Sequence, residues 1–147
     1  MNTGWHRANL PGTIEGVAIT PAGPSRKRVL IVEDDRDNRE VMRLLFEISG
    51  HEVHEAADGV SAVDLAMRIE PDTALVDIGL PGMDGYEVAR QIRAKLRDRC
   101  RLVALSGYGQ PKDRQQALDA GFDDHLLKPV DPTRLLAALN AAGRPAR

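Results

Sequence analysis

The feature that most constrains this chain is an alternation. From Arg28 onward, short apolar runs take turns with amphipathic segments five times before residue 142. The runs are "RVLIV" (28–32), "HEVHEA" (51–56), "TALVD" (73–77), "RLVAL" (101–105) and "DHLLK" (124–128). Short apolar runs bounded by turn signals read as strands. Between the first two, Val41, Leu44, Leu45 and Ile48 recur at i, i+3, i+4 and i+7, which predicts one inward helix face, with Gly50 just past its end. Asp58 is placed to cap a helix carrying Val60, Val63 and Met67. Asp84 and Glu87 make a start resembling a capping box for a helix with Val88, Ile92 and Leu96 inward. Pro111 suits the first turn of a helix ending at Ala120 and stopped by Gly121. That helix has only Ala117, Leu118 and Ala120 to bury, so it is expected to be the most mobile element. Asp131-Pro132 pairs an N-cap with a first-turn proline, before Leu135, Leu136 and Leu139.

Strands alternating with helices predict an α/β fold, a doubly wound parallel sheet with helices on both faces. Right-handed crossovers gather all strand C-termini on one edge, and the functional crevice lies there, where the winding reverses. Residues 1–27 differ: they are rich in Gly, Pro, Thr and Ser, "TPAGPS" (20–25) reads as a linker, and a loose leader is expected. The domain is expected over residues 28–142, with a tail at 143–147.

Composition narrows the function. With 42% apolar residues the 147-residue chain can build a core, and with 3% aromatic residues that core must be aliphatic. A net charge of −2 offers no electrostatic case for nucleic acid. The single cysteine, Cys100, makes no internal disulfide and suits a reducing cytoplasm. No apolar run approaches the ~18 residues of a membrane span. No two of the four histidines share a metal-binding spacing on one helix. Cys100, His51 and His54 read as structural or surface residues.

The expected strand ends carry polar groups that look out of place in their segments. The first ends in Glu33-Asp34-Asp35, the third in Asp77, the fourth in Ser106-Gly107 and the fifth in Lys128-Pro129. Three carboxylates converging on one rim repel one another, which raises pKa values and destabilises the fold. A hard divalent cation relieves this, and Mg²⁺ takes one or two carboxylates with carbonyls, waters and a phosphate oxygen. Lys128, 51 residues after Asp77, can offset charge as well. A carboxylate so placed can attack a phosphoryl group and form an aspartyl-phosphate. Asp35 is explained as a charge at a helix N-terminus; for Ser106 a simple turn serine is a fair competing reading.

The motifs "VLIVEDD", "ALVDIGLPGMDG", "ALSG" and "LLKP", in this order and spacing over residues 28–142, resemble the receiver domains of response regulators, the CheY-like superfamily. The resemblance implies strand order 2-1-3-4-5 with five helices. It implies Asp77 as phosphoacceptor, Glu33 and Asp34 as the acidic pair holding Mg²⁺, and a backbone carbonyl from Gly79 to the metal. It implies Ser106 as switch hydroxyl, Lys128 as the phosphoryl contact, and a cis peptide before Pro129 that aims Lys128 inward. The expected partners are a histidine kinase or a histidine phosphotransfer protein, and a downstream protein on the face of the fourth helix, fifth strand and fifth helix. No external turnover substrate is expected, hence no enzyme in the usual sense.

Two positions depart from the family pattern. The switch aromatic is replaced by His125, which could swing, sense pH, or merely be tolerated. Gly79 has no side chain to position a hydrolytic water, and Tyr108 is a further influence near the site. Two arrangements stay open. The initial Met and short leader favour a stand-alone regulator, whereas "GQPKDRQQALDAGFDDHLLKPVD" (109–131) looks like the receivers of hybrid histidine kinases. The rival functions are a non-phosphorylated interaction module, against which the intact acids and lysine argue, and an aspartate-nucleophile phosphatase, which would want an acid at Gly79.

Overall fold

A computed structural model describes residues 12–14, 17–19, 26–107 and 111–140. The parallel strands are β1 (Arg28–Val32), β2 (Glu52–Ala56), β3 (Thr73–Asp77), β4 (Arg101–Ser106) and β5 (Asp124–Leu127). They lie in the order β2-β1-β3-β4-β5, the expected doubly wound arrangement. The helices are α1 (Arg36–Ile48), α2 (Gly59–Ile69), α3 (Gly85–Leu96), α4 (Pro111–Ala120) and α5 (Pro132–Asn140). In the leader, Gly12–Ile14 pairs antiparallel with Val17–Ile19, so the segment expected to be loose contains a short ladder.

Strand alternation divides the core in two. Leu30, Val32, Ala74, Val76, Leu102 and Ala104 face α2, α3 and α4. Val29, Ile31, Leu75, Val103, Leu105 and Leu126 face α1 and α5. The expected caps are present: Asp58 accepts from Ser61 N at 2.8 Å and Asp84 from Glu87 N at 2.9 Å. Asp131 accepts from Thr133 N at 2.9 Å. The Glu87 side chain turns to Arg90 and Gln91, so the α3 start is a one-sided cap rather than a full box.

Several inward residues differ from expectation. On α1, Val41, Leu44 and Ile48 are 64%, 45% and 56% exposed, and Met42, Leu45 and Phe46 are buried instead. Both stripes obey the same i, i+3, i+4 spacing and share Leu45; they differ by one residue, a rotation of about 100°. The stripe with Phe46 wins because an aromatic ring buries more area than Val41 or Ile48 would. Val60 and Leu118 are also exposed, and alanines (Ala62 and Ala66, Ala117 and Ala120) take the inward positions of their helices. Ser106 belongs to β4 itself, and β5 stops at Leu127, one residue short of Lys128.

Candidate phosphoacceptor site

The C-terminal edge of the sheet brings four of the expected residues together. β1 runs into Glu33 and Asp34, and β3 ends on Asp77. Glu33, Asp34 and Asp77 each offer a carboxylate oxygen, all within 4.8 Å of one another. Lys128, just past β5, places Nζ 2.8 Å from Asp77 Oδ2 and 3.0 Å from Glu33 Oε1. The Lys128–Pro129 bond is cis. Asp77 Oδ1 accepts from Gly79 N at 2.8 Å, which folds the loop back over the strand end.

Glu33 is buried beneath this rim, held by donors on two sides. Its Oε2 accepts from Asp35 N at 3.1 Å and its backbone carbonyl from Arg39 at 2.8 Å. Burial raises its pKa, and the Asp77 charge adds to that; the Asp35 and Lys128 hydrogen bonds pull the other way. Burial alone would depress Lys128, but its hydrogen bonds to Asp77 and Glu33 outweigh that and leave its pKa raised. The ammonium is therefore held charged between two carboxylates. Asp34 is exposed at the mouth. A donor set of carboxylate oxygens, two buried and one open, fits a hard divalent cation such as Mg²⁺.

Ser106 stands one residue beyond Leu105, the register partner of Asp77. Its Oγ lies 2.7 Å from His125 Nε2. Tyr108 lies outside the described residues. Cys100 is buried, its thiol pushed up to about 12 chiefly by desolvation, so it is no nucleophile. His51 Nδ1 accepts from Lys27 N, and His54 pairs with Glu52.

One residue that positions the site went unnoticed in the sequence. A Cβ at Gly85 would stand 2.5 Å from Ile78 Cα and 2.6 Å from the Asp77 carbonyl oxygen. The first turn of α3 thus presses on the backbone that presents Asp77, and only glycine fits. The only local signal was a glycine directly after the Asp84 cap, where many residues are tolerated.

Comparison with known proteins agrees with this geometry. Residues 29–140 match the family model described as response regulator receiver domain. The chain belongs to that family, the receivers of two-component signalling. It is 40% identical over 114 residues to response regulator MprA of Mycobacterium sp. (strain KMS), covering 78% of this chain and 49% of that protein. It is 34% identical over 115 residues to the DNA-binding dual master transcriptional regulator RpaA of Synechocystis sp., covering 78% and 48%. The chain spans about half the length of these curated relatives. Among solved structures, a CheY-like receiver domain protein from Methanospirillum hungatei JF-1 superposes with TM-score 0.73 at 32% identity, covering 78% of this chain and 91% of that one. Vibrio cholerae CheY4 gives TM-score 0.74 at 27% identity, covering 78% and 97%. Among the described residues, no helix is long and apolar enough to cross a membrane.

Proposed function

We propose that Asp77 accepts a phosphoryl group from a phosphohistidine on a kinase or phosphotransfer protein. One observation carries this reading: three carboxylates within 4.8 Å of one another, with an ammonium 2.8 Å from the central one. An Asp77 oxygen attacks phosphorus, the P–N bond to the donor imidazole breaks, and an acyl phosphate forms. Lys128 balances charge on the transferring oxygens, and Glu33 and Asp34 together with Asp77 would hold Mg²⁺. When bound, that ion neutralises phosphoryl oxygen charge as a Lewis acid. The Gly79 carbonyl is the backbone ligand in this reading, and Ser106 donates to the phosphoryl group. The protein acts on no external turnover substrate; it is a signalling device rather than an enzyme.

The donor approaches along α1. A groove of about 380 Å³ has Glu33 and Lys128 at one end and Val41, Met42, Pro129, Val130 and Leu135 along it. The exposed Val41, Leu44 and Ile48 continue that apolar surface away from the acids. The added charge of ~1.5–2 on Asp77 then biases the α4–β5–α5 face, where a downstream protein binds. The DNA binding in the name of RpaA is that protein's own, and no nucleic-acid contact is part of this reading.

The test is incubation with a small phosphodonor and Mg²⁺, read by intact mass. Wild type should gain one phosphoryl group and Asp77→Asn none. Equal labelling of both would leave only a non-phosphorylated docking module.

A further inference from the structure

Ser106 and His125 lie on neighbouring strands. Ala104 is the register partner of His125, so Ser106 is its diagonal neighbour on the same face, within reach of a ring. Ser106 is 2% exposed, and its Oγ meets His125 Nε2 at 2.7 Å. The other ring nitrogen, Nδ1, is buried without a hydrogen-bond partner among the described residues. Burial lowers the His125 pKa, Arg114 of α4 lowers it further, and Asp113 and Asp124 oppose both. Arg134 of α5 lines the same recess. The ring is therefore neutral near pH 7 and carries a single N–H.

That single proton has two possible homes. If it sits on Nδ1, a donor is buried with no acceptor among the described residues, and Nε2 consumes the Ser106 proton. If it sits on Nε2, the buried Nδ1 is only an unfilled acceptor, and the Ser106 proton is left for acceptors other than His125. Buried orphan N–H groups are rarer than under-used acceptors. A hydroxyl has one proton and two lone pairs; to donate to a phosphoryl oxygen, Ser106 must accept from His125.

We infer that His125 is a positioning residue for the phosphoryl site: its Nε2–H donates to Ser106 Oγ and so directs the Ser106 proton toward a phosphoryl group on Asp77. This rests on the phosphoacceptor reading. It makes the histidine at the switch position a hydrogen-bond donor rather than only a ring that swings.

The experiment has two arms on the full chain. In the first, ¹⁵N NMR of the imidazole is recorded without ligand and with beryllofluoride and Mg²⁺ as phosphoryl mimic. Nε2 should carry the proton in both states; an Nδ1–H tautomer overturns the inference. In the second, affinity for the mimic is measured for variants. His125→Phe, which keeps a ring but loses the donor, should bind about five- to tenfold more weakly, the effect of one lost hydrogen bond. His125→Gln should restore most of the loss, and in a Ser106→Ala background His125→Phe should change nothing further. Wild-type affinity in His125→Phe, or an equal loss in both backgrounds, refutes the route through Ser106. Failure of wild type to label on Asp77 would instead sink the phosphoacceptor reading, and the ligand-free tautomer would still decide which way the bond runs.

Discussion

Helices α3 and α4 are neighbours over the same face of the sheet, yet they are anchored very differently. α3 buries Val88, Ala89, Ile92 and Leu96, and Gly85 in its first turn touches the Asp77 backbone. Arg93 ties its far end to the Gly121 carbonyl and to Asp123 at 2.7 and 2.8 Å. α4 sinks only Ala117 and Ala120 into the core, and its Leu118 faces solvent. Apolar burial stabilises by about 25 cal/mol per Å², so α4, with two buried methyl groups and the Arg93 bond to Gly121 at its C-terminal end, is held less firmly than α3. The contrast suits the proposed switch: Asp77 sits on the firmly held side, and the face proposed to change partners includes the lightly held one.

Two measurements test this contrast directly, and a third tests the carboxylate beneath the rim. The largest effect is expected at Ile92. Ile92→Ala should cost about 2–5 kcal/mol in urea unfolding, and Leu118→Ala should stay within about 0.5 kcal/mol of wild type. Comparable losses at both positions would erase the difference between the helices. Next is Gly85→Ala, whose added methyl must displace the β3 end. A loss of about 1–3 kcal/mol is expected, with slower labelling of Asp77 by a small phosphodonor. Unchanged labelling would mean that α3 does not position the acceptor.

The smallest effect concerns Glu33. Its folded pKa is raised, so the folded chain binds more protons than the unfolded one, and this group's stabilisation is lost as pH rises through the folded value. Glu33→Gln lacks that loss. Its stability relative to wild type should therefore climb from acid to neutral pH, measured without added metal. A flat or falling difference would show that Lys128 fully compensates the buried carboxylate.

How legible the molecule was varied with the physics involved. The alternation of elements and the acid–lysine rim followed from local patterns, because each strand is a contiguous run and parallel winding leaves one edge for every strand end; the strand order came from the family resemblance. Asp77 and Lys128 stood out as charges at the ends of apolar runs, and they meet at 2.8 Å. The buried stripe of α1 was misjudged because Val41–Leu44–Ile48 and Met42–Leu45–Phe46 fit one period equally well. Val60 and Leu118 misled for a related reason: larger side chains were favoured where alanines hold the most buried positions. Gly85 had only a weak local mark, its place after the Asp84 cap, and the Ser106–His125 bond had none.

Sequence alone therefore determined the alternation of elements, the caps, the division of each strand into two faces, and which residue types reach the functional edge. These depend on neighbours a few positions apart along the chain. Tertiary structure decided which face of α1 is buried, that α3 tolerates only glycine against Asp77, and that His125 meets Ser106. Those outcomes turn on ångström-scale distances between segments many residues apart, which exist only once the helices have packed on the sheet.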